Sequence, residues 1–97
     1  MLPQKIKVSN RALFQEIENE IVILDLAEEQ YYGLDDVGAV MWRFLNETDD
    51  TATVVQRVSD FYHVDEAIVS KDLGELYEKL LKAGLVTTDA VDNSATA

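Results

Sequence analysis

The spacing of apolar residues changes once along this chain, near residue 35, and that change limits the folds open to it. Before it, apolar side chains alternate or fall in short β-branched runs, the pattern of strands; after it they recur every three to four residues, the pattern of helices. Ile6 and Val8 alternate with Lys5 and Lys7 as a short edge strand. Residues 13–17 and 20–26 read as two strands turned at Glu18-Asn19-Glu20, where Asn19 tolerates left-handed backbone. Ala27-Glu28-Glu29 turns the chain again, and Gln30 to Leu34 completes a three-stranded antiparallel meander.

Asp35 has the chemistry of a helix N-cap, and Asp36 adds charge where the helix dipole favours it. The first helix runs to about Asn46, with Val37, Val40, Met41, Phe44 and Leu45 on one stripe. Thr51 is expected to cap a second helix, with Val54, Val55, Val58, Phe61 and Tyr62 inward. Asp65 is expected to cap the third and longest, which reaches about Ala83. At ~100° per residue, Val69, Leu73, Leu76 and Leu80 fall within roughly 60° of one another and form its buried stripe. Gly84 suits the position just past the helix end, Leu85-Val86 makes the last apolar contact, and the chain is small and polar from Thr87 onward. The expected architecture is an α+β, winged-helix-like domain over residues 1–88, a three-stranded antiparallel sheet followed by three helices, with a disordered tail at 89–97.

Composition narrows the function. Ninety-seven residues suit one domain, and 47% hydrophobic residues are enough to pack it. Nineteen acidic against eight basic residues give a net charge of −11, which repels phosphate and excludes nucleic acid and anionic lipid as partners. The outward positions of the third helix, Glu66, Lys71, Glu75, Glu78 and Lys82, are those of a solvated face rather than a DNA-reading one. With no cysteine there is no disulfide, thiolate nucleophile or sulfur-ligated metal. No secretory signal opens the chain and its apolar runs are far short of a bilayer span, so it is read as soluble and cytoplasmic. The lone histidine, His63, lies in a helix connection, and no residues match a catalytic, metal-binding or cofactor-binding pattern. A self-sufficient enzyme is not expected.

Two features remain once the core is assigned. The strand Gln30-Tyr31-Tyr32-Gly33-Leu34 is uncharged and is a candidate sheet edge. If Tyr32 and Leu34 face the core, Tyr31 and Gly33 lie on the opposite face. Beside the buried stripe of the third helix runs a mixed strip of Ile68, Asp72, Glu75 and Lys79. A strand edge next to a helix flank leaves a groove in which a second extended chain can add by β-augmentation.

The series of residues 22–26 (VILDL), 30–35 (QYYGLD), Val37-Gly38-Ala39 and Trp42 resembles the PqqD-like family, the RiPP recognition elements of peptide-modifying pathways. Residues 53–58, residues 61–65, Asp72-Leu73, Leu76, Leu80 and Gly84-Leu85-Val86 continue the resemblance, which covers about residues 8–87. It implies a non-catalytic, cofactor-free domain that binds the leader segment of a ribosomally made precursor peptide. The leader would lie along Gln30, Tyr31, Tyr32, Gly33 and Leu34 and touch Ile68, Val69, Asp72, Leu73, Leu76 and Lys79 of the third helix. The Tyr-Tyr-Gly-Leu-Asp strand and the Val-Gly-Ala-Val-Met-Trp helix are similar to the stand-alone proteins of lasso peptide pathways. That likeness implies a leader peptidase and a macrolactam synthetase as partners. A member serving pyrroloquinoline quinone synthesis would instead work with a radical SAM enzyme, and the further alternative is a winged-helix protein-interaction or regulatory domain.

Overall fold

The computed structural model describes residues 2–10 and 12–88; the expected tail at 89–97 lies outside them. Five strands and three helices follow in the order β1 (Ile6–Val8), β2 (Ala12–Ile17), β3 (Glu20–Asp25), β4 (Gln30–Leu34), α1 (Asp36–Glu47), α2 (Thr51–Tyr62), α3 (Glu66–Lys82) and β5 (Val86–Thr88). The meander has the order β2-β3-β4, all antiparallel, and is followed by the three helices.

Local chemistry sets the turns. The β2–β3 hairpin has Glu18 and Asn19 as its two loop residues, and the positive φ of 59° falls on Glu18 rather than Asn19. Between β3 and β4, the fully buried Asp25 accepts the backbone N–H of Ala27 at 3.0 Å through its carboxylate, so the turn is tied from inside. Asp35 caps α1 as expected, accepting the Gly38 N–H at 3.0 Å. At α2 the cap is Asp50, not Thr51: Asp50 accepts from the Thr53 backbone, while Thr51 turns inward and is buried. The Thr53 side-chain hydroxyl, followed by its N–H, holds the Asp50 carboxyl below its ordinary pKa. This cap therefore contributes fully above the ordinary carboxylate pKa and fades as pH falls through the lowered one. Asp65 is the N-cap residue of α3 by position, but its side chain makes no capping bond. His63 ends α2 in the left-handed conformation, φ 58° and ψ 48°, which gives the lone histidine a backbone role.

The core lies where the inner face of the meander meets the helices. Ile21 and Ile23 are fully buried against a helical layer that includes Trp42, also fully buried. The Phe14 ring meets Trp42 edge-on with centroids 5.7 Å apart. On α1 the buried arc is Ala39, Val40, Met41, Trp42 and Leu45, wider than the expected stripe and shifted so that Val37 is exposed and Phe44 half-buried. The sheet covers α1 on one side and α2 on another, which a single stripe does not describe. On α3, Tyr77 joins Val69, Leu73 and Leu80 inside, and burial pushes its phenol pKa up. Leu76 is displaced to the half-buried margin of the helix.

One pairing has no local signal. Thr87 and Thr88 belong to β5, which pairs antiparallel with β1 in the register Ile6↔Thr88, Lys7↔Thr87 and Val8↔Val86. The same N-terminal segment is bonded to the α1–α2 connection, Ile6 N–H donating to Asp49 at 3.0 Å and Thr51 N–H to Gln4 at 3.0 Å. β1 and β5 are thus clamped together beside the helices, with Ile6, Leu85 and Val86 in the core.

Ile6→Ala is expected to destabilise the fold by about 2–5 kcal/mol in urea unfolding, because it empties a fully buried site. A change within experimental error would mean that the β1–β5 clamp is peripheral. Gly38 is helical, and a Cβ there would meet Leu34 Cβ at 3.4 Å and Asp35 Oδ1 at 3.5 Å, which are ordinary contacts. Gly38→Ala should therefore raise stability by about 0.4–1 kcal/mol and lift the thermal midpoint.

Candidate functional site

β4 is an edge strand of the meander, paired on one side only. Its alternate residues leave backbone N–H and C=O groups without ladder partners, a template for another extended chain. The pleat is the expected one: Tyr32 and Leu34 are half-buried toward the core, Gly33 is exposed, and Tyr31 is 72% exposed on the opposite face. Gln30 lies at the strand start, where its side-chain carbonyl accepts the Tyr32 hydroxyl at 2.9 Å. The other edge, β2, differs. Its inner face is tied to α1 by the Glu16–Arg43 ion pair and by Phe14 on Trp42.

Beside the C-terminal half of β4 a cleft of about 370 Å³ opens to solvent. Its strand wall is Gly33 and Leu34, and its far wall is the α3 flank Asp72, Glu75, Leu76 and Lys79. These α3 positions follow i, i+3, i+4 and i+7, so helix geometry alone aligns them on one face. α1 closes one end with Val37, Gly38 and Met41. Leu34, Val37, Met41 and Leu76 give it an apolar floor, with acidic Asp72 and Glu75 and basic Lys79 at the rim. The Asp35 carboxylate at the margin is already engaged by the Gly38 N–H. A shape of this kind takes side chains projecting from a chain laid along the strand, with a few polar groups to orient it.

The structure sorts the sequence-derived residues. Gly33, Leu34, Asp72, Leu76 and Lys79 converge on the cleft. Gln30, Tyr31 and Tyr32 extend the same edge, and Ile68, 54% exposed, stands one turn before Asp72 outside the cleft lining. Val69 and Leu73 are corrected to core: they are 2% and 0% exposed and lie outside the cleft lining. At ~100° per residue they lie on the buried stripe, roughly 70–110° around the helix from the mean direction of the Asp72, Glu75, Leu76 and Lys79 flank. Val37, Gly38 and Met41 are lining residues that the sequence reading assigned only to helix and core. Val37 carries a usable signal, since it opens the α1 stripe two residues after the capping Asp35.

Among the described residues no group of three or more His, Asp or Glu is placed to hold a metal ion. No helix among them is long and apolar enough to cross a membrane.

Comparison with known proteins places the chain among relatives. Residues 20–86 match the family model of coenzyme PQQ synthesis protein D (PqqD). Among curated proteins no sequence matches the chain. Among solved structures, TbiB1 in complex with the TbiA(beta) leader peptide is 31% identical with a TM-score of 0.78, over 82% of this chain and 93% of that one. A lasso peptide synthetase B1 complexed with the leader peptide is 20% identical with a TM-score of 0.74, over 86% of this chain and 98% of that one, and supports the fold. The chain belongs to the PqqD family.

Proposed function

We propose that this chain is a non-catalytic binding domain for the leader segment of a ribosomally synthesised precursor peptide in a lasso peptide pathway. The leader adds to β4 as a fourth antiparallel strand of the meander. Main-chain hydrogen bonds along the edge give affinity, and side chains entering the cleft between β4, α1 and α3 give selectivity. The observation that carries this reading is the adjacency of an open strand edge and an apolar-floored cleft on the same residues, Gly33 and Leu34. The 31% identity to a protein solved with a leader peptide bound supports the same reading.

The domain holds the precursor while other proteins act on it. The leader peptidase and macrolactam synthetase of a lasso pathway are the partners we assign, acting together in the cytoplasm. A second reading, in which the bound peptide goes to a radical SAM enzyme of pyrroloquinoline quinone synthesis, is favoured by the description of the matching family. The identity to TbiB1 favours the lasso assignment.

Binding is tested by calorimetry with synthetic leader peptides of lasso precursors, beginning with the TbiA(beta) leader, where micromolar or tighter affinity is expected for at least one. Val37 is 41% exposed on the cleft wall, so Val37→Glu should keep the fold. It places a charge against the apolar floor and should weaken binding by about tenfold or more. Full affinity in the folded variant would remove the cleft from the account.

A further inference from the structure

The apolar stripe of α2 runs past the layer that covers it. Val54 and Val58 are buried, and at ~100° per residue Phe61 continues their side of the helix, so periodicity places it inward. In the structure Phe61 is 59% exposed. Its ring meets Tyr62 edge-on with centroids 5.0 Å apart and Phe44 of α1 edge-on at 6.5 Å, and Phe44 and Tyr62 are themselves only half-buried. Exposed Val64 and Ile68 follow across the α2–α3 connection. None of these residues lines the cleft beside β4. Single apolar side chains on a surface are ordinary, but touching rings left open to solvent mark an interaction surface.

The backbone under these rings is helical, so it offers no open ladder to an extended chain, unlike β4. Recognition here must come from side chains. Phe44 and Phe61 stand on two packed helices, and a surface of that kind is covered by a third helix laying its own apolar face across it.

Charge says which helix. Residues 58–70 carry Asp60, Asp65 and Glu66 and neither Lys nor Arg, and α1 opens on Asp36. Burial pushes the Tyr62 phenol above its ordinary pKa, and the Asp36 and Asp35 carboxylates push it further, which puts these acids near the rim of the ring cluster. The Arg43 guanidinium acts the other way but is paired with Glu16, and Arg57 of α2 is paired with Glu47. An acidic rim opposes two occupants from the chain itself. A second copy would bring the same acids, and residues 89–97 carry Asp89 and Asp92 without Lys or Arg. We propose that Phe44, Phe61 and Tyr62 form a docking surface for a partner protein that presents a basic amphipathic helix, separate from the edge at which the leader adds.

The probe is a displayed library of helix-forming peptides of about 18 residues. One face varies among apolar residues and the flanks among Lys, Gln and Glu, with selection on the full chain. Selection should enrich Lys beside large apolar residues at i, i+4 and i+7. Affinity for an enriched peptide should fall about tenfold or more on Phe61→Ser. It should also fall on Asp60→Lys, a change at an exposed helix position that leaves the rings in place; circular dichroism checks both folds. Amide shifts on binding should move around Phe44 and along residues 58–68, not along β4. Enrichment of neutral or acidic flanks, affinity unchanged on both variants, shifts confined to β4 and its cleft, or no enrichment at all overturns the docking surface. Leader binding at β4 stands or falls separately, by the calorimetry above.

Discussion

The sealing of one face of the meander by α1 is the constraint on which the rest of the molecule depends. Ile21 and Ile23 alternate with half-buried Val22 and Leu24 on β3, so only one register buries both isoleucines against Trp42. A slip of one residue would exchange the two faces and turn the isoleucines outward. The register carries through the ladder to β4, where Ile21 pairs with Leu34 and Ile23 with Tyr32. It thereby fixes which side chains of β4 look toward α3, and which look outward. The open edge is positioned by the core and not by its own sequence.

An edge left open invites unwanted pairing, and the chain limits that in recognisable ways. β4 is only five residues long and contains a glycine, and residues 12–34 around it carry six acidic side chains and no Lys or Arg of their own. The surface charge that repels nucleic acid also discourages association of two copies through this sheet. What the edge favours instead is a chain able to reach past the acids, lie flat and place side chains beside Leu76.

Features of short range were legible in the sequence. The three strands of the meander, marked by β-forming residues between turns, and the Asp35 cap are decided by neighbours within a few residues. The Asp50 cap was not, because adjacent Asp50 and Thr51 are both competent and only the burial of Thr51 decides between them. The β1–β5 clamp joins residues some eighty apart: β1 shows its alternation, but the three residues of β5 carry almost no pattern and nothing local pairs the two. Helical periodicity marked an apolar side for α1 and α3 but not which neighbours cover it. Hence periodicity alone does not separate the core residues Val69 and Leu73 from the groove flank, nor show that Val37 and Met41 line the cleft.

The central claim is that β4 is the strand to which a peptide adds. Backbone amide exchange measured residue by residue, with and without bound leader peptide, tests it most directly. The account predicts new protection at alternate amides of β4, those facing away from β3, with β2 unchanged. Protection confined to the helices, or appearing on β2 while the β4 amides exchange as before, would contradict it.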